Sequence, residues 1–303
     1  MRSIKHNGIT WIDCEDPGAD DILYIQENFD IHPLAIEEFT TPTFRPKVTK
    51  YTNCLFLTIH IPLYDSEEKT TYPGELDIVI TEDHLITGHR KSIYQLTNFF
   101  ETLATRGGKR RLHMNGTPTH LLYDLLEILL ESCFPRLDHV TEKIDHIEHQ
   151  IFRGNEKKMV REISVVKRDV LNFRRTLKPQ RSILESLSQT DSPLVSKELK
   201  PYFHDLVGTN IRLWNTLESN KETIESLEET NNTLFSHKIN EKMRFLTLFS
   251  VILIPMTLYA NILGMNVPSI PFGTSSNAFF LHTGLSIGVS IVTAIIFKWR
   301  KWI

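Results

Sequence analysis

The sequence lacks the features that typify enzymes and secreted proteins. Its three cysteines, Cys14, Cys54 and Cys133, are odd in number and widely spaced, so they indicate reduced thiols rather than a disulfide framework or a zinc cluster. It contains no phosphate-binding glycine loop, no His-Glu-x-x-His sequence and no pairing of a nucleophile with a base, so we expect no enzymatic activity. Residues 1–10 are polar, and we expect no signal or transit peptide.

Charge is absent from one long stretch near the C-terminus. Glu241 is the last acidic residue, and 245–297 contain no Asp, Glu, Lys or Arg. Residues 1–240 hold 36 acidic and 29 basic groups, a net charge of −7, whereas 241–303 hold one acidic and five basic groups. The acidic excess excludes nucleic acid as an expected partner, because phosphates require clustered Lys and Arg.

Two apolar spans, 245–263 and 278–297, lie within the uncharged stretch. Each can cross roughly 30 Å of hydrocarbon as a helix, so we expect a lipid bilayer around both. Basic residues precede the first span and form the tail 298–303, while the loop 264–277 is uncharged. The positive-inside rule therefore predicts a multi-pass protein of the cell (inner) membrane with both termini in the cytoplasm and an extracytoplasmic loop.

The part before the spans changes its periodicity once. Residues 1–118 predict a cytoplasmic α/β domain. In it we expect helices over 20–29 and 33–39, a half-buried strand over 52–61, and a hairpin of 76–80 with 85–87.

From Thr119 onward the pattern is helical. It predicts helices over 119–152, 156–189 and 198–263. We divide this part into a cytoplasmic helical region, 119–197, a stalk helix, 198–244, and the first membrane helix. The fold class is therefore an α+β cytoplasmic domain followed by a long stalk helix and two C-terminal transmembrane helices.

A polar line runs along the last long helix at alternating steps of three and four residues. We call it the polar stripe; it comprises Asn240, Met243, Thr247, Ser250, Ile254, Thr257 and Asn261. Polar groups in a bilayer must face protein or water, so the stripe predicts a pore wall made by a ring of identical helices. The alternative is that the Ser and Thr side chains bond their own helix or hold two helices together.

The chemistry of the stripe suits a hydrated cation. Met243 and Ile254, with Leu246, predict apolar collars that gate the pore by dewetting. The polar positions offer only neutral oxygens, and Gly264-Met265-Asn266 follows directly after the span. Because Mg²⁺ dehydrates reluctantly, such oxygens can accept hydrogen bonds from its bound water.

The second span is expected to form an outer ring around the first. Gly284 and Gly288 give a small-xxx-small spacing that permits close helix contact. His282 is expected to lie at the membrane interface.

Several segments resemble the CorA family of divalent-cation transporters. Gly264-Met265-Asn266 matches the Gly-Met-Asn signature of that family in its place after the first of two C-terminal membrane helices. The similarity extends over nearly the whole chain, through 32–38, 45–48, 240–247, 254–257 and 298–302. Leu263 replaces the usual Tyr before the signature, Asn261 replaces a small Gly, and the outer loop lacks its common acidic residue.

The resemblance implies a funnel-shaped homopentameric channel for passive uptake of Mg²⁺, with Co²⁺ or Ni²⁺ as further cargo. It implies that Asn266 forms an outer selective ring and that Asn240, Met243, Leu246, Ile254 and Thr257 line or gate the pore. It also implies closure by cytoplasmic Mg²⁺ held between subunits by carboxylates. Asp205 matches one such position; Asp65 is our choice for its partner, with Glu67 next.

Two other functions remain open. His139, Asp145, His146, Glu148 and His149 crowd one helix, with a spacing that metal ligands can have. They favour a zinc transporter of the related ZntB type, although a solvated helix face has the same pattern. The second alternative is a membrane-anchored cytoplasmic sensor or scaffold that conducts nothing, against which the polar stripe argues.

Overall fold

The computed structural model describes residues 1–43, 45–265 and 277–300. The chain divides into two compact units, Met1–Glu229 and Thr230–Ile303. The described residues of the first unit include a six-stranded sheet with the strand order β1-β2-β6-β5-β4-β3. Its strands are β1 (Arg2–His6), β2 (Ile9–Glu15), β3 (Lys47–Lys50), β4 (Leu55–Asp65), β5 (Thr70–Ile80) and β6 (His84–His89).

The sheet is mixed: β2 and β6 run parallel, and the other neighbouring strands run antiparallel. The hairpin predicted from the sequence is confirmed, since β5 and β6 pair with Ile80 opposite Leu85. Thr81 closes its turn, because its hydroxyl accepts the backbone N–H of His84 at 3.1 Å.

Among the described residues, eight α-helices precede the longest helix of the chain. They are α1 (Ala19–Asn28), α2 (Pro33–Thr40), α3 (Tyr94–Thr105), α4 (Gly107–His113), α5 (Pro118–Glu131), α6 (Phe134–Phe152), α7 (Glu156–Leu177) and α8 (Gln180–Gln189). The first two confirm the predicted helices near the N-terminus. A 3₁₀ turn, Lys197–Leu199, leads into α9 (Lys200–Leu263), in agreement with the predicted helix over 198–263.

The strand predicted over 52–61 is confirmed from Leu55 onward, but the prediction that it is half-buried was wrong. β4 begins at Leu55, and it is buried on both faces as far as Leu63. One face packs with α1 and α2, where Phe56 joins a core that includes Ile36 and Phe39. The other face is covered by α7 and α8. Alternation in the strand could not reveal a second helical layer contributed by distant parts of the chain.

The prediction of unbroken helices over 119–152 and 156–189 was also wrong. The first divides at Ser132 and Cys133, and the second at Lys178 and Pro179. Pro135 lies in the first turn of α6, and Pro179 is the N-cap of α8. Proline lacks an N–H and clashes with the preceding turn, so it is accepted at the start of a helix and breaks the interior.

The second unit contains the rest of α9 and a last helix, α10 (Ala278–Trp299). Both helices are long and apolar enough to cross a membrane. Pro255 lies inside α9 without ending it. In the first unit, α9 packs through buried side chains spaced three or four residues apart, namely Phe203, Leu206, Asn210, Leu213 and Leu217.

Candidate functional site

The polar stripe lies on an exposed side of α9. All seven of its residues are exposed in the single chain, and the apolar members Met243 and Ile254 are 55% and 60% exposed. Leu246, the third proposed collar residue, is 57% exposed. Earlier on the same helix, Glu222, Ser226 and Glu229 continue the same spacing and are also exposed.

The opposite side of α9 is the side that packs. Its partly buried positions within the span are Leu248, Val251, Ile252, Pro255, Met256, Tyr259 and Leu263. At 100° per residue these positions centre roughly 145° away from the polar stripe. Tyr259 contacts His282 of α10, and the carbonyl of Ile252 accepts a hydrogen bond from the Ser290 hydroxyl at 3.2 Å. Helix α10 therefore packs on one side of α9 and leaves the stripe uncovered.

Two hydroxyl groups of the stripe bond their own helix. Ser250 donates to the carbonyl of Leu246 at 2.9 Å, and Thr257 donates to the carbonyl of Leu253 at 3.0 Å. This is the local bonding that the alternative interpretation requires. It uses the hydroxyl protons and leaves the oxygen lone pairs on the exposed side, where they can accept a hydrogen bond from water.

A hydroxyl of α10 reinforces α9 at its proline. Pro255 has no N–H, so the carbonyl of Val251 loses its helical donor. The bond from Ser290 reaches the next carbonyl, that of Ile252. A neighbouring helix thus stabilises the weakened turn, as polar groups in TM helices commonly do.

The signature begins where α9 ends. The N–H of Gly264 donates to the carbonyl of Ala260 at 3.0 Å, and the N–H of Met265 donates to Ile262 at 3.2 Å. Gly264 and Met265 are exposed, as is Asn261 one turn earlier. Asn266, the proposed outer ring, lies outside the described residues, together with most of the loop 264–277.

The small-residue face of α10 is open. A methyl group added at Gly284 or Gly288 would meet no atom within 4 Å among the described residues. The close helix contact predicted for these glycines is therefore absent between α10 and the described part of its own chain.

The two proposed regulatory carboxylates lie in the first unit. Asp205 is exposed on α9. It lies near Tyr123 of α5: burial and the hydrogen bond to Glu127 raise the pKa of Tyr123, and the negative charge of Asp205 adds to that rise. Asp65 ends β4 and accepts the N–H groups of Glu67 and Glu68 at 2.9 and 3.1 Å, so its Oδ1 already closes a turn.

The histidine-rich face of α6 is solvated. His139, Asp145, His146, Glu148 and His149 are all exposed. His139 and His146 line a groove of about 830 Å³ together with Glu67, Glu142 and Glu162. Within 1–43, 45–265 and 277–300, no three His, Cys, Asp or Glu side chains are grouped so that they could hold a metal ion.

One polar contact was missed by the sequence analysis. The Tyr259 hydroxyl and Nδ1 of His282 lie 2.6 Å apart. The sequence patterns assign no role to Tyr259 and predict only an interfacial position for His282. One feature of the sequence could have pointed to this contact: Tyr259 and His282 are the only Tyr and His in 245–297, which contain no Asp, Glu, Lys, Arg or Cys.

The fold and the polar stripe together indicate the class of protein. An α/β unit precedes two C-terminal apolar helices, of which the first presents a line of neutral polar groups, and this is the arrangement of a membrane transporter. A family model described as CorA-like Mg²⁺ transporter protein matches residues 6–299. The chain belongs to this family of transporters, which confirms the resemblance seen in the sequence.

Individual relatives are similar to this chain over most of their own length. The cobalt/magnesium transport protein CorA of Thermotoga maritima is 26% identical over 296 residues, which are 97% of this chain and 83% of that protein. The putative metal ion transporter YfjQ of Bacillus subtilis is 27% identical over 297 residues, 96% of this chain and 89% of that protein. The complete structure of the CorA magnesium transporter from Methanocaldococcus jannaschii has a TM-score of 0.85 at 22% identity, covering 100% of this chain and 94% of that one.

The exposed histidines generate a prediction about zinc. We expect His146→Ala combined with His149→Ala to leave the Zn²⁺ dependence of transport unchanged, because both side chains lie on a solvated face. The measurement is Zn²⁺ and Mg²⁺ uptake by the reconstituted protein, with the exposed His204→Ala as the matched control. Selective loss of Zn²⁺ uptake in the double variant would instead support a ZntB-type zinc transporter.

Proposed function

We propose that this chain is one subunit of a homo-oligomeric pore, a pentamer by family resemblance, that conducts divalent cations into the cytoplasm. Mg²⁺ is the main cargo, and Co²⁺ or Ni²⁺ also pass. The observation that carries this proposal is the exposed polar stripe on the side of α9 away from α10. In a bilayer that side must meet protein or water, and a ring of copies would supply both.

The lining would treat Mg²⁺ as a hydrated ion. The stripe contains hydroxyl, amide and carbonyl oxygens and no carboxylate. Such oxygens accept hydrogen bonds from water that the ion retains, and they do not bind it so tightly that it cannot leave. In this proposal Asn240, Thr257, Asn261 and the backbone of Gly264 and Met265 contact the hydration shell, while Asn266 selects the ion at the outer rim.

The membrane potential would drive uptake without another energy source. Moving one elementary charge across the membrane is worth about 2.3 kcal/mol per 100 mV, and a divalent ion gains twice as much. Met243, Leu246 and Ile254 are exposed apolar groups on or beside the stripe. In a ring of copies they would form collars that close when they exclude water.

Cytoplasmic Mg²⁺ would regulate the pore through carboxylates of neighbouring subunits. Asp205 is exposed, and no third acidic, histidine or cysteine ligand accompanies it within the described part of the chain. In this proposal the further carboxylate ligands of a site that includes Asp205 come from another copy. Asp65 retains one oxygen, Oδ2, that its turn does not use.

The proposal that the polar stripe lines the pore can be tested with one variant and a matched control. Thr257→Val should lower Mg²⁺ uptake into liposomes by about tenfold or more, since each lost hydrogen bond is worth about 1 kcal/mol and every copy loses one. Thr293→Val is the matched control, because Thr293 of α10 also bonds the carbonyl four residues back, at 2.9 Å, but lies off the stripe. Equal losses in both variants would contradict a pore wall on α9.

The signature generates a test of selectivity. Asn266→Ala should reduce the preference for Mg²⁺ over Co²⁺ and Ni²⁺, because the amide that contacts the hydrated ion is removed. Parallel uptake of the three ions by one reconstituted preparation measures this preference. Asn277→Ala, at the other end of the same loop, is the control. Unchanged ratios in the first variant would refute the selective role of Asn266.

The regulatory carboxylates generate a test of closure. Asp205→Ala should raise the internal Mg²⁺ concentration that half-closes the pore by about tenfold, a typical size for coupling between sites. Asp65→Asn removes the charge and keeps the acceptor oxygen of the turn, so it should act in the same direction if Asp65 is the partner. The exposed Glu198→Ala serves as control. If Asp205→Ala half-closes at the same internal Mg²⁺ concentration as the wild type, the regulatory role of Asp205 is rejected. The same result for Asp65→Asn rejects Asp65 as its partner.

A further inference from the structure

Tyr259 and His282 form an isolated titratable pair in the membrane part of the chain. Residues 245–297 contain no Asp, Glu, Lys, Arg or Cys, and Tyr259 and His282 are the only tyrosine and the only histidine among them. The structure joins them: the Tyr259 hydroxyl lies 2.6 Å from Nδ1 of His282, and the ring centres are 5.9 Å apart. Ionisable groups inside membranes are expensive, and they commonly have a function.

The imidazole is held on one side only. Its Nε2 is buried and has no hydrogen-bond partner within the described residues. Neutral His282 satisfies Nδ1 through Tyr259, in either tautomer. Imidazolium carries a proton on both nitrogens, so Nδ1–H can then only donate to the Tyr259 oxygen, and the buried Nε2–H has no acceptor within the described residues. Protonation therefore keeps this contact but leaves a buried positive charge with one N–H donor unpartnered, which is the costly state.

The pair lies at the same end of both helices as the signature. Tyr259 is two residues before Asn261, and His282 lies near the start of α10. The Ser286 hydroxyl donates a hydrogen bond to the carbonyl of His282 within α10. The nearest charges in sequence, Arg244 and Lys298, belong to the opposite ends of the spans; Lys298 is about 24 Å further along α10 at 1.5 Å per residue. A charge on His282 would thus have no partner of opposite sign nearby in the uncharged stretch.

We propose that the Tyr259–His282 contact positions the outer end of α9 and makes cation conduction sensitive to protons. The inference rests on the proposed function. With neutral His282, the contact holds α9 against α10 next to Asn261. Protonation places a positive charge about one helix diameter, roughly 10 Å, from the polar stripe, where it repels an incoming cation. Acid therefore lowers divalent-cation flux.

The experiment measures isotopic Mg²⁺ uptake into liposomes with the same pH on both faces, so that orientation and proton gradients have no effect. Histidine changes its charge between about pH 5.5 and pH 7.5, which sets the two conditions. Wild-type flux should fall by about threefold or more on acidification, as expected when a repelling charge appears beside a cation path. His282→Asn supplies an uncharged oxygen where Nδ1 lies, and its flux should not change with pH.

Two further variants separate a positioning role from a general effect of substitution. Tyr259→Phe removes the hydroxyl, so flux should be reduced already at neutral pH while a remaining acid response persists from the His282 charge. His237→Asn makes the same change on an exposed histidine of α9 outside the span, and it should keep the full wild-type acid response. His282→Gln is the second neutral variant if His282→Asn does not assemble in detergent.

The outcomes are distinguishable. A wild-type protein that conducts Mg²⁺ equally at both pH values would overturn the inference and leave the proposed function standing. Persistence of the full acid response in both neutral His282 variants, or its loss in His237→Asn, would overturn it as well. A protein that conducts no divalent cation at either pH would refute the proposed function, and this inference with it.

Discussion

Every polar group between Arg244 and Lys298 has to be satisfied without the help of a charge. The helical backbone bonds itself, which is why the spans are helices, and each polar side chain must find its partner in protein or water. Ser250 and Thr257 use carbonyls of their own helix, Ser290 supports the turn at Pro255, and Tyr259 bonds His282. This one constraint accounts for these four hydrogen bonds of the second unit.

The same constraint divides α9 into two sides with different roles. One side packs on α10, and the other presents hydroxyls, amides and three apolar groups that nothing in the described chain covers. A single copy in a bilayer would expose these polar groups to lipid, whereas several copies arranged around an axis would direct them toward water. The membership of the chain in a transporter family gives that arrangement a purpose, since a water-filled axis lined with neutral oxygens suits a hydrated divalent cation.

Patterns that depend on neighbouring residues were predictable. The helices near the N-terminus, the β5–β6 hairpin and the long α9 each follow from a periodicity within one segment. The burial of β4 on both faces did not, because the covering layer of α1 and α2 comes from other parts of the sequence. The breaks at Pro135 and Pro179 were visible as prolines, yet an apolar periodicity that continued across them concealed the interruption.

For the candidate site, the sequence by itself determined the two spans, the spacing of the polar stripe, the signature after the first span and the resemblance to a transporter family. Hydropathy and helical periodicity are local properties, so they need no tertiary structure. Only the tertiary structure decided which side of α9 meets α10, that the stripe stays uncovered, that the glycine face of α10 is open, and that Tyr259 meets His282. Those facts depend on the rotation of one helix against another, and side-chain packing fixes that rotation.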